Sequence, residues 1–86
     1  MKRALLLLSL SMTLAGAAVA GPACTAAKEA WMNEATFKAG LEKQGYTIKT
    51  FKISKGQCYE IYGFDKQGQK VEIYFDPVTA AVLEKK

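Results

Sequence analysis

The sequence predicts an α+β fold in which one N-terminal helix packs on a three- to four-stranded antiparallel meander sheet. Three observations carry that expectation. Phe37 and Leu41 stand four residues apart, the spacing of one helix face. Three later runs, 46–54, 57–65 and 70–76, are rich in β-branched and aromatic residues, and their apolar positions recur at period two. Short polar turns separate these runs, so each strand pairs with the next.

The first twenty residues stand outside that fold. Lys2 and Arg3 precede an apolar stretch from Ala4 to Leu14, and Ala18-Val19-Ala20 follows as a small-x-small cleavage site, the pattern of a signal peptide. A transmembrane helix is the competing reading. Ser9, Ser11, Thr13 and Gly16 break it up, and it is shorter than the roughly 20 apolar residues a span requires. The expected organisation is therefore 1–20 signal peptide, 21–32 N-terminal arm and 33–86 folded domain. Cleavage near Ala20-Gly21 leaves a periplasmic or secreted chain that does not span the membrane.

Along that chain, "GPACTAAKEAWM" holds a proline, small residues and the single anchor Trp31, and reads as a helical turn or an irregular arm. Asn33 is a good N-cap and Glu34 places negative charge in the first turn, so a helix runs from about Glu34 to Gln44, with Ala30 one turn earlier on the same stripe. Gly45 ends it in the left-handed position beyond the cap. Lys55-Gly56 closes the first hairpin. Asp65-Lys66-Gln67-Gly68 closes the second, with Gly68 at the positive-φ place of a type I turn with a G1 bulge. Pro77 stops the third strand, and Ala81 to Leu83 returns as a short edge strand.

Alternation assigns the faces. Phe51 and Ile53, Tyr59 and Ile61, and Val71, Ile73 and Phe75 form the inward side, covered by Phe37, Leu41 and Trp31. The other side carries Ile48, Cys58, Glu60, Tyr62, Phe64, Glu72, Tyr74 and Asp76, and the hairpin is expected to bring Tyr62 and Tyr74 into contact.

Two cysteines, Cys24 and Cys58, remain after export. An even count in an oxidising compartment reads as an intramolecular disulfide, and a chain below about 70–80 residues needs such a staple. Lipidation of Cys24 is the alternative, although Gly21-Pro22-Ala23 lacks the aliphatic residue usual three positions before a lipid-bearing cysteine. The absence of C-x-x-C spacing argues against a redox pair.

Charge and composition exclude several functions. Without Lys2 and Arg3 the formal net charge falls from +4 to +2, with ten lysines scattered among eight acids and no arginine, so nucleic acid is not an expected partner. The chain has no histidine, and Ser54, the one serine after residue 20, has no evident base; no catalytic residues, metal ligands or cofactor are expected. Glu60, Glu72 and Asp76 share a face, as acid–base pairs and cation sites do, but solvated sheet charges are the commoner case. The candidate partner-binding set is Tyr62, Phe64, Tyr74, Glu60 and Glu72. Exposed together they form an interaction patch; beneath the Cys24 arm they are structural.

The order of elements and the strings "L-x-x-x-G-Y", "I-K-x-F-K" and "C-Y-E-I-Y-G-F-D-x-x-G-x-x-V-E-I-Y-F-D-P-V-T" resemble the PepSY family, specifically its small secreted single-domain proteobacterial type, over Trp31 to Leu83. Ala80 stands where members usually carry glycine after the threonine. The resemblance implies a non-catalytic extracytoplasmic binding or regulatory module, inhibiting or modulating a peptidase or a membrane protein. A small-ligand-binding accessory of a membrane redox or transport system is the alternative. It brings no binding residues with it, and the expected state is a monomer or weak dimer with an unidentified periplasmic or membrane protein partner.

Overall fold

Asn33 begins the helix as its sequence position predicts: its Oδ1 accepts a hydrogen bond from the Thr36 N–H at 3.1 Å. The computed structural model describes residues 21–86, so the expected signal peptide, residues 1–20, lies outside the described residues. Helix α1 spans Glu34–Lys43. It ends in a Schellman arrangement, with Gly45 N–H donating to Glu42 O at 3.0 Å and Tyr46 N–H to Leu41 O at 3.1 Å, while Gly45 sits at φ +101°. Ala30 belongs instead to a separate 3-10 turn, Lys28–Ala30, because Trp31 is extended and interrupts the helical path.

Four strands follow, β1 (Thr47–Ile53), β2 (Tyr59–Phe64), β3 (Lys70–Phe75) and β4 (Val82–Lys85), in the order β1-β2-β3-β4 with every neighbour antiparallel. This is the predicted α+β meander with its fourth, edge strand. Phe37 and Leu41 of α1 lie on Tyr59, Ile61, Val71, Ile73 and Phe75. The aromatic rings meet edge to face: Phe37 is 4.8 Å from Tyr59 and 5.0 Å from Phe75 between centroids, and Phe51 is 4.9 Å from Tyr59. Trp31 adds a fourth contact, 5.6 Å from Tyr59. The Tyr59 hydroxyl donates to Met32 O, which ties the arm to the core.

Strand β1 departs from strict alternation. Its pairing with β2 shifts between Ile48 and Thr50, so Lys49 is an extra residue and Ile48, opposite Gly63, packs against the core instead of standing on the outer face. Gly63 permits this approach, since a Cβ there would fall 1.9 Å from Thr47 O. Ile53 is on the inner side as expected but lies at the free edge, 44 % exposed, beyond the reach of the helix.

The turns follow side-chain chemistry. Asp65 Oδ1 accepts from Gln67 N and Gln69 N, each at 2.9 Å, and Gly68 takes φ +82°. In the first hairpin the left-handed residue is Gln57, at φ +67°, not Gly56. Gly56 matters for space: a Cβ on it would stand 2.1 Å from Pro22 O, so its bare backbone makes room for the arm. Ala80 adopts φ +65°, the conformation that the usual glycine would take without strain.

Candidate functional site: the outer face of the sheet

The side chains that point away from α1 form cross-strand rows. One row runs Lys52, Glu60, Tyr74 and Glu84 across β1 to β4. The next runs Thr50, Tyr62 and Glu72, and the backbone of Glu72 exchanges both hydrogen bonds with Lys86 at 3.1 and 2.8 Å. Tyr62 therefore faces Glu72 and Tyr74 faces Glu60. The expected Tyr62–Tyr74 pair is a diagonal instead, because the Asp65–Gln69 turn sets the register two residues from the one that would oppose them.

The N-terminal arm divides this face into covered and open halves. Cys24 is bonded to Cys58, and Cys24 N–H donates to Gly56 O at 2.8 Å, so the arm lies along the first hairpin. Cys58 Sγ is 3.5 Å from Pro22 O, and an added Cβ on Gly21 would be 2.6 Å from the Tyr74 ring. Tyr74 and Glu60 are each only 3 % exposed, whereas Tyr62 is 39 % exposed and Phe64 and Glu72 are half-buried. Of the five candidate residues, Tyr62, Phe64 and Glu72 thus reach solvent; Tyr74 and Glu60 do not.

Two carboxyl groups and two phenols meet where the halves join. The Tyr74 hydroxyl donates to Glu72 Oε2 at 3.0 Å. Burial, reinforced by the hydrogen bond to Glu72, raises the Glu60 pKa, while that same bond from Glu60 lowers that of Glu72. The two carboxyl groups are thus pushed apart, Glu60 towards its protonated form and Glu72 towards its ionised form. Hydrogen bonding to Glu60 and then Glu72 pushes the Tyr62 phenol up to about 12, and burial raises that of Tyr74. Lys52 Nζ stands 5.9 Å from the Tyr62 ring and Lys86 Nζ 5.6 Å from that of Tyr74. Chemically this cluster is an anchor: Glu60 is buried within it, and the Tyr74 hydroxyl is donated inward.

The sign of its pH dependence follows. Glu60, raised above its unfolded value of 4.5, stabilises the fold fully below that value, and its contribution is lost as pH rises through the raised folded pKa. Glu72, lowered, contributes above 4.5, and this is lost as pH falls through its depressed folded pKa. Stability due to the pair is expected to peak in mildly acid solution. Glu60→Gln, which imitates the neutral acid, should remove the loss on the alkaline side, as read by urea midpoints from pH 3 to 9. A variant whose midpoint still falls as pH rises through that window would show that Glu60 is not the proton holder.

The open half is a groove of about 510 Å³ along Tyr62 and Phe64, bordered by Lys49, Lys70, Lys86 and Glu72. Sequence reasoning named its aromatic residues and missed its lysines, which appear in the chain as scattered charges. The pairing of Phe64 with Lys70, on the two sides of the hairpin that turns at Gly68, is the signal that could have placed one of them. Among the described residues no group of three or more acidic, cysteine or histidine side chains is placed to hold a metal, and no helix is long and apolar enough to cross a membrane.

Compared with known proteins, the chain matches no characterised protein and no solved structure. Against protein families, residues 4–86 match the family described as peptidase propeptide and YPEB domain. The disulfide staple, the helix on a four-stranded meander and this match over nearly the whole sequence agree: the chain belongs to the PepSY family of peptidase propeptide and YPEB domains.

Proposed function

We propose that the protein is a non-catalytic, extracytoplasmic protein-binding module that regulates a peptidase or a membrane protein, and that it binds through Tyr62 and Phe64 on the open half of the sheet, with Glu72 at its border. The observation that carries this reading is the exposed Tyr62 ring beside half-buried Phe64, on a sheet face that neither the helix nor the arm covers. The disulfide fits an oxidising compartment, and the expected signal peptide supplies the route to the periplasm. Tyr74 supports the site, its hydroxyl holding the Glu72 carboxylate in place.

The test is the double variant Tyr62→Ser/Phe64→Ser, immobilised and exposed to periplasmic extract, with its thermal melt recorded alongside. Aromatic anchors at interface centres commonly contribute about 2 kcal/mol or more each, so partner recovery should disappear while the melt moves little. Tyr74→Ser is the contrast, expected to lower the melting temperature because its ring is packed beneath Gly21. Undiminished recovery by the double variant would remove this face from the reading.

A further inference from the structure

We infer that the open groove takes an acidic segment of a partner protein, one that sets an apolar side chain on Tyr62 and Phe64 between carboxylates directed at Lys49, Lys70 and Lys86. This rests on the binding reading above and adds the chemistry of the partner. Three lysines and one acid border the groove. That one acid, Glu72, is already engaged by the Tyr74 hydroxyl at 3.0 Å, so one of its carboxylate oxygens is taken up within the protein. Of the lysines, Lys86 stands near Glu84 and the Tyr74 ring, whereas Lys49 and Lys70 are not so engaged. Among the described residues the ion pairs are Lys38–Glu34 and a long Lys86–Glu84 contact of 3.9 Å, which leaves Lys49 and Lys70 with no acidic partner.

The fold positions these cations for a ligand. The bulge in β1 makes Lys49 the extra residue of its strand, and it lines the groove. Lys70 is paired with Phe64 across the hairpin, and Lys86 continues the Tyr62–Glu72 row at the far edge. Cations thus stand at both sides of an apolar strip, and each is exposed. A neutral apolar segment would bury ammonium groups without compensation. An acidic one gains charge complementarity, which steers association and selects against basic partners.

The experiment titrates the oxidised protein, residues 21–86, with a short synthetic peptide carrying leucine and phenylalanine flanked by glutamates, following backbone amide shifts by NMR at about 50 mM salt. The expected result is saturable shifts centred on Lys49, Tyr62, Phe64, Lys70 and Lys86, weakened several-fold at about 300 mM salt. Lys49→Glu/Lys70→Glu should weaken binding at least tenfold with an unchanged melt, since both side chains are exposed. A peptide with lysines in place of the glutamates should not bind. Equal binding of the basic peptide, shifts confined to another surface, the absence of any shift, or binding of anionic phosphatidylglycerol vesicles in place of the peptide would each overturn the inference. The two readings fail separately. If Tyr62→Ser/Phe64→Ser abolishes partner recovery and Lys49→Glu/Lys70→Glu does not, the face binds protein but not through acidic residues.

Discussion

Ile61→Ala is expected to remove most of the stability of the domain. Ile61 is fully buried at the centre of the sheet, paired with Phe51 on β1 and Ile73 on β3, beneath the helix residues Phe37 and Leu41. Truncation there forfeits the transfer energy of the lost methyl groups and leaves a cavity that paired strands on both sides cannot close, a cost of about 2–5 kcal/mol. Domains of this size commonly have little more than about 5 kcal/mol in total. At roughly 4–8 °C per kcal/mol for so short a chain, the melting temperature should fall by about 10 °C or more, and a fraction of the variant should be unfolded at room temperature. Ile53→Ala is the informative control. The two side chains differ only in place, and Ile53 at the free edge should cost within about 0.5 kcal/mol, as surface changes do. Equal losses at both positions would mean that the core extends to the edge of β1.

The contrast between Ile61 and Ile53 also shows what the sequence discloses. Alternation identified the inner face of β2 and β3 correctly, because Tyr59, Ile61, Val71, Ile73 and Phe75 lie on central strands where register is held from both sides. On the edge strand β1 the same rule held for Phe51 and Ile53 and failed at Ile48. One extra residue at Lys49 carried Ile48 to the inner side, and no local signal in "TIKTF" announces it; the permissive residue, Gly63, is on the neighbouring strand. The helix cap and the Asp65 turn were legible for the opposite reason, since their hydrogen bonds close within a few residues. Gly56 lies in the turn the sequence indicated, but its second use was not legible, since its missing Cβ also admits the arm.

The candidate site divides along the same line. Cys58 on the outer face indicated where the arm would attach, but the extent of its cover depended on the path of Gly21 and Pro22, which no periodicity encodes. The phenol–carboxyl cluster depended on register. Tyr62 opposite Glu72 and Glu60 opposite Tyr74 produce alternating donors and acceptors, whereas a register that set Tyr62 against Tyr74 would have set Glu60 against Asp76, like charge against like.

Loss of the Cys24–Cys58 bond is the second large effect expected. The bond joins residues 34 apart, and closing a loop of that length restricts the unfolded chain by roughly 3–4 kcal/mol in the chain-entropy account. Its removal should have a structural consequence as well. The arm is further held by Cys24 N–H to Gly56 O, by Met32 N–H to Pro77 O at 2.7 Å, and by Tyr59 to Met32 O, so its two ends are anchored differently. Near Met32 it is tied to the core, and near Gly21 it depends on the disulfide. Reduction should therefore free residues 21–24 first, uncovering Tyr74 and Glu60 and admitting water to the Glu60 carboxyl. Urea unfolding of the oxidised and reduced protein, followed through Trp31, the only tryptophan, measures the first effect. Amide hydrogen exchange at Cys24 and Tyr74 measures the second. The expected outcome is a midpoint lower by most of the total stability, with exchange at Cys24 accelerated before that of Ile61 and Ile73. Coincident unfolding curves would show that the hydrogen bonds of the arm suffice without the bond. Exchange that accelerates equally at every position would show that the arm and the sheet unfold as one unit.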